Sequence, residues 1–461
     1  MIGIRKIVKK NPLTDAIVNV PPSLTGGIFL LGRIGSGKST GMISLAQKYH
    51  DHPDRRYKVF HLWGGDRSEQ LYWCLPSNEN KYWSKIKKVL KLQNEGPKQY
   101  KVNLLYPTTK DIRSKLPNNP PSVHSKLFTI PMSSIELDDI TLCIGEISQT
   151  DAFYWREAMN KIKKTHNGAN LLDIFKDLGG ENTRIYKNFV FPLVNYRLLN
   201  SEYCNYNLDL MSEMKDRETI SVLVLDFIEK EFRLFVLGWI LRQISLLIDS
   251  GKIPTRNILI IQEAAEFFRA TDDSIMSPRY KIFRRQLTHY IRMGRRGMHL
   301  LLDVQSAAET KGVVEGQADL VILGKLIGED DKDASTKQLY RDNFISRKQI
   351  QDLSVLNPGQ YYIAEAGKKV KKRYFFLPRT MFWKKGYGDF YDNVWRNIVN
   401  EWRDTRIVID ELDDDFKNAK DKLKERDSMR KEISKRKSEA DKAEAEKQYY
   451  EDIKTKEILK Q

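Results

Sequence analysis

Cysteine is scarce in this chain: three residues in 461, Cys74, Cys143 and Cys204, far apart and with no CxxC pair. That excludes a disulfide framework and a cysteine zinc site, and it suits a reducing compartment. Histidine is thin as well, at seven residues. Only His50 and His52 lie close together, in what reads as a surface turn, and there is no HExxH. The opening MIGIRKIVKKNP has basic residues but no apolar run of signal-peptide length. The greasiest stretch, 234–248, is interrupted by Arg242 and Gln243 and is too short to span a bilayer, which needs about 20 apolar residues. These absences point to a soluble, cytoplasmic chain with no membrane anchor. Positive charge, by contrast, is plentiful: 78 Lys and Arg stand against 61 Asp and Glu, a formal charge of +17. A polyanionic partner explains it, nucleic acid or an acidic membrane surface, as does a merely lysine-rich soluble surface.

The length predicts two or three compact units. A lead-in over 1–25 ends in Pro21-Pro22 and Gly26-Gly27. The run at 28–31 is apolar and stops at glycine, the pattern of a buried parallel strand. A helix is expected over 40–48, then strands over 57–63 and 101–106. From 151 to 216 the spacing turns helical, notably over 153–164 and 171–178, which predicts a helical insertion. Strand signals return at 221–225, 257–261, 299–304 and 320–323, separated by helical patterns over 232–248 and 280–292. Strands alternating with helices predict an α/β fold with a mostly parallel sheet covered on both faces. The core is thus expected in two parts, 26–150 and 217–400, closing with a hairpin of 360–365 and 370–377. Beyond 401 the chain is charged, with i, i+4 pairs such as Asp427 with Lys431 and Glu432 with Arg436. Those pairs support a solvated helical tail.

The strongest signal is Gly32-Arg33-Ile34-Gly35-Ser36-Gly37-Lys38-Ser39, a full GxxxxGK[ST] match followed by Thr40. Its glycines let the backbone curl so that N–H groups point at phosphate oxygens, and the next helix presents its positive end to the same phosphates. Lys38 is placed for the β- and γ-phosphates and the Ser39 hydroxyl for Mg²⁺. The run 256–263 is an apolar strand ending in Gln262 and Glu263 at what would be the carboxyl edge of the sheet, where ligands of open α/β sheets bind. Glu263 is the candidate general base, and Gln262 stands where a Mg²⁺-supporting aspartate is usual. An amide there accepts a hydrogen bond from a metal-bound water but brings no charge. A third strand ends at Gln305-Ser306, a place for a γ-phosphate sensor. Before it lies an arginine-dense turn, 292–297, in which Arg295, with Arg292 and Arg296 beside it, is the candidate to stabilise transition-state charge in a neighbouring subunit. The basic helix carrying Lys281, Arg284 and Arg285 suits DNA, a solvated face or a subunit contact equally.

Together the loop at 32–39, ILIIQEAAEFF at 258–268 and GRRGMHLLLDVQS at 294–306 resemble the HerA/FtsK superfamily of DNA-pumping ATPases. The segment 353–359 with the hairpin after it resembles that family's closing segment, so the likeness spans roughly 25–380. The resemblance implies a RecA-like core, ATP with Mg²⁺, a homo-hexameric ring and double-stranded DNA in its pore, with a nuclease or relaxase as a possible partner. It assigns Lys38 and Ser39 to nucleotide and metal, Glu263 to catalysis, Gln305 to sensing and an arginine near Arg295 to the finger in trans. The departures are Gln262, the short stretch before Ile28 where cellular HerA carries a β-barrel, and the lack of a membrane anchor. A reduced form carried by an archaeal plasmid or virus fits them. Two other functions compete: a nucleotide-gated assembly protein with slow or lost hydrolysis, and a P-loop phosphotransferase acting on a small molecule.

Overall fold

The apolar runs around 28, 59, 258 and 300 lack the polar alternation of a half-solvated strand, and each is buried along its whole length. The structure, a computed structural model, describes 24–63 apart from 25, 34, 54 and 55; 73–79 apart from 75; 95–108; 115–116; and 123–165. It further describes 171–200; 206–267 apart from 226, 227, 265 and 266; 278–305; 318–341; 345–356; 360–365; 369–374; 378–380; 403–404; and isolated positions at 84, 87, 90 and between 428 and 442.

Ten strands form one sheet. In chain order they are β1 (Gly27–Leu31), β2 (Lys58–Trp63), β3 (Lys101–Pro107), β4 (Val123–Phe128), β5 (Thr219–Leu223), β6 (Asn257–Ile261), β7 (Met298–Val304), β8 (Ala318–Leu323), β9 (Gln360–Glu365) and β10 (Lys371–Tyr374). Their spatial order is β10-β9-β8-β1-β7-β6-β2-β5-β3-β4. The first eight in sequence pair in parallel, and β9 and β10 extend one edge as an antiparallel hairpin. The fold is therefore α/β with a mostly parallel sheet, as the alternation of strands and helices implies. β1 lies inside the sheet, with β7 on one side and β8 on the other.

The pleat sends alternate side chains to opposite faces. Ile28, Leu30, Val59, Ile258, Ile260 and Leu301 pack with Met42, Ile43 and Tyr49 of helix α1 (Lys38–His50). Phe29, Leu31, Phe60, Leu259, Ile261 and Leu302 pack on the other face with five of the other helices. Those are α2 (Leu137–Ile144), α3 (Gln149–Thr165), α4 (Leu171–Asp177), α5 (Lys230–Asp249) and α6 (Pro278–Arg292). Between α4 and β5 the chain stays mainly helical, with a wide turn of helix at Tyr186–Val190, short helices at Phe191–Asn195 and Leu210–Lys215, and a two-residue strand at Leu199–Asn200. Several elements escaped the sequence reading, among them β4, α2 and the helix Glu329–Arg341; α2 opens on a capping box between Glu136 and Asp139.

The polar interruption of the greasy run has a partner. Arg242 of α5 forks onto Asp139 of α2 (Nε to Oδ1 3.0 Å, Nη2 to Oδ2 2.5 Å) and also donates to Ser134 O, while Gln243 Nε2 donates to Ser134 O at 3.2 Å. No described helix is long and apolar enough to cross a membrane. In the tail, Glu432 and Arg436 form the expected pair at 2.7 Å, both exposed, whereas Asp427 and Lys431 fall outside the described residues.

Candidate functional site

The phosphate loop hangs between the ends of two strands. Gly32 N–H donates to Val304 O of β7 (3.2 Å), and Arg33 N–H donates to Lys325 O, just past β8 (3.0 Å). Gly35 and Gly37 have φ of +80° and +92°, a region that costs glycine nothing and other residues about 1–2 kcal/mol. A Cβ on Gly32 would lie 2.8 Å from Ser36 Oγ, so the loop is wound too tightly for a side chain there. On its far side the buried Tyr361 hydroxyl of β9 donates to Ser36 O at 3.0 Å. Ile34 lies outside the described residues.

Helix α1 starts at Lys38 with no side-chain cap and no acidic residue in its first turn, so its positive end faces the loop uncompensated by carboxylate. Lys38 Nζ folds back toward Arg33 O at 3.4 Å, and Ser39 and Thr40 are half-buried in that turn. Ser36 Oγ is buried with no hydrogen-bond partner among the described residues. A curled glycine loop, an orphaned hydroxyl and a bare helix start fit a nucleotide's phosphates, with Ser39 as a magnesium ligand.

Gln262 and Glu263 follow β6, one strand removed from β1. Their side chains part company. Gln262 is buried, its N–H bonds to Trp63 O at 2.9 Å, and its Oε1 lies 3.1 Å from His61 Nε2. That nitrogen also lies 3.2 Å from Trp63 O, while Nδ1 accepts from Trp73 Nε1 at 3.0 Å. Two acceptors at Nε2 and a donor at Nδ1 fix a neutral ring with its proton on Nε2. Burial, against two weaker hydrogen-bond effects, pushes His61 down to about 3. Glu263 is exposed, and its φ of +51° makes it one of only two non-glycine residues with positive φ among the described residues. Its backbone N–H donates to the carboxylate Oδ1 of Asp303, and the next N–H, of Ala264, donates to Asp303 O at 2.9 Å. Asp303 holds the turn that presents Glu263, a role that no sequence motif announces across 40 residues.

Gln305 stands half-buried directly after β7, at the same edge as Gly32 and Glu263, while Ser306 is outside the described residues. The arginine turn sits at the opposite edge. It precedes β7, whose seven residues, at about 3.3 Å each, separate it from Gln305 by roughly 20 Å. Its glycines are structural: a Cβ on Gly294 would meet Gly26 Cα at 2.6 Å, and Gly297 (φ +94°) lies against the Thr255 backbone. Arg296 pairs with Asp249 at 2.7 Å, Arg292 is exposed, and the backbone of Arg295 lies in the turn Met293–Arg296. The chain thus gathers Lys38, Ser39, Glu263 and Gln305 at one sheet edge and leaves Arg292, Arg295 and Arg296 at the other.

No family model matches this chain, and no curated protein matches it in sequence. Several solved structures do resemble it. VirB4 of Thermoanaerobacter pseudethanolicus is 12% identical at a TM-score of 0.46, covering 76% of this chain and 89% of that one. The plasmid coupling protein TrwB, in complex with the non-hydrolysable GTP analogue GDPNP, is 12% identical at 0.44, covering 81% and 93%. The genome packaging NTPase B204 of Sulfolobus turreted icosahedral virus 2, in complex with AMP, is 14% identical at 0.28, covering 77% and 98%. Likeness at this level concerns fold alone, so the function rests on the loop and the strand ends described above.

Proposed function

We propose that this chain is a magnesium-dependent P-loop ATPase that moves double-stranded DNA through a ring of its own copies. One observation carries the reading: a full phosphate loop and an exposed Glu263, fixed in an unusual backbone conformation, meet at one edge of a parallel sheet. Glu263 takes a proton from the water that attacks the γ-phosphorus while the bond to the β-phosphate oxygen breaks and ADP departs. Lys38 and the start of α1 neutralise the phosphate charge, and Gln305 senses the γ-phosphate. Ser39 would hold magnesium, which would supply positive charge to the phosphates as the bond breaks. Arg295 lies too far from its own chain's loop to serve it, which suits delivery to an adjacent copy in a ring. The +17 charge, together with Lys281, Arg284 and Arg285 on α6, supplies attraction for a phosphate backbone.

The test is ATP hydrolysis with and without double-stranded DNA, by wild type and by Lys38→Ala. Stimulation by DNA that vanishes in Lys38→Ala is the expected result; phosphate transfer to a small acceptor, indifferent to DNA, sinks the proposal. A second reading is favoured by Gln262, an uncharged side chain bonded to His61 where a carboxylate is usual. On that reading ATP binding gates assembly and hydrolysis is slow. Rapid turnover by wild type rules it out.

A further inference from the structure

The ATPase reading leaves one chemical gap. A magnesium ion on a P-loop serine is usually backed by a carboxylate from a neighbouring strand, and at the end of β6 that place holds an amide. The amide is also committed: Gln262 Oε1 faces His61 Nε2, and His61 is in turn tied to Trp73. A carboxylate nevertheless stands beside it.

Asp303 lies on β7, the strand inserted between β1 and β6. The ladder pairs it with Leu30, two residues before the phosphate loop opens at Gly32, and the pairing of Leu302 with Ile261 brings it level with Gln262. The pleat fixes its side. Leu301 packs with Leu30, Met42 and Ile43 on the α1 face, and Asp303, two residues on, takes the same face. That is the face on which α1 begins, with Lys38 and Ser39 in its first turn. Asp303 is 2% exposed, and a carboxylate taken so far out of water needs a compensating charge or hydrogen bonds. The Glu263 N–H supplies one such bond, to Oδ1.

We propose, resting on the ATPase reading, that Asp303 supplies from β7 the negative charge that Gln262 does not supply from β6. Its carboxylate backs the magnesium ion through the ion's bound water, and the same side chain fixes the backbone of the catalytic base. The acid has changed strands while keeping its edge and face, so one residue couples metal support to the placement of Glu263.

The experiment separates the two duties. Asparagine keeps the Oδ1 acceptor for Glu263 N–H and removes only the charge. Manganese, a spectroscopic stand-in for magnesium, is titrated by electron paramagnetic resonance into protein saturated with a non-hydrolysable ATP analogue. Four proteins are compared: wild type, Asp303→Asn, Gln262→Asp and Gln262→Asp with Asp303→Asn. Asp303→Asn is expected to bind manganese about 10–100-fold more weakly, with analogue affinity in EDTA unchanged. The double variant is expected to recover most of that loss, because the charge returns on the neighbouring strand. Wild-type manganese affinity in Asp303→Asn overturns the assignment, as does a double variant no better than Asp303→Asn. Failure of wild type to bind the analogue at all, with or without metal, defeats the ATPase reading itself and is seen in a separate titration.

Discussion

At the scale of single residues, the proposed chemistry converges on Glu263. A left-handed backbone at a glutamate costs about 1–3 kcal/mol and persists only where its surroundings enforce it, here through the two N–H groups bound to Asp303. Glu263→Gln preserves size and turn but cannot accept the proton. It is expected to bind ATP within about twofold of wild type and to hydrolyse it about 10²–10⁴-fold more slowly, as single-turnover quench kinetics would show. Two buried histidines make a different forecast. Burial holds His61 at about 3 and His50, despite the raising influence of Asp51, at about 4, whereas both titrate near 6.5 once unfolded. The unfolded chain therefore takes up protons first as the solution is acidified. Their contribution to stability is complete above about pH 6.5 and is lost progressively as pH falls toward 4 and below. Calorimetry at pH 7.5 and 5.0 should show a lower Tm at 5.0 and a smaller difference in His50→Gln; a Tm that rises on acidification contradicts this.

At the scale of elements, what could be read from the sequence follows burial. β1, β6 and β7 announce themselves because both of their faces are covered and every position is apolar or nearly so. β4 does not: at the sheet edge its His124 and Lys126 stand exposed and Ser125 only partly covered, so VHSKLF carries no greasy run. The tight glycine loop after β1 could be read from the sequence, because Gly32, Gly35, Gly37 and Lys38 lie within one short stretch of chain. The bonds of Gln262 to His61 and of Glu263 to Asp303 join residues 201 and 40 apart, and only the sheet order brings them together. Two substitutions test how elements are fastened. Gly297→Ala forces a Cβ into the Thr255 backbone at a φ of +94° and should cost about 1–3 kcal/mol or more, lowering Tm. Nucleotide affinity of the folded protein should hold, because that turn sits at the far edge of the sheet. Arg242→Met strands Asp139, which has no exposed surface, and should cost about 3–5 kcal/mol in urea unfolding. Adding Asp139→Leu should recover most of it; a single variant as stable as wild type would show the pair to be incidental.

At the scale of the whole molecule, the sheet is a wall with the glycine loop at one edge and the arginine turn at the other, and the chain carries a formal charge of +17. If the charge serves DNA, affinity is governed by counterion release and log Kd rises linearly with log salt at a slope near 0.9 per phosphate neutralised. Fluorescence anisotropy on a DNA duplex between 50 and 200 mM salt should give a weakening of at least about tenfold. Affinity that ignores salt would take the DNA out of the proposal.

The bond from Tyr361 to the carbonyl of Ser36 joins residues 325 apart. A ribosome adding about 5–20 residues each second needs on the order of tens of seconds to cover that distance. For that interval the nascent chain displays the complete phosphate-loop motif without the strand that braces it. If the loop holds a nucleotide as proposed, it is braced for that only after β9 has been made, and fragments cut short before β9 should carry the motif yet bind nucleotide more weakly than the full chain.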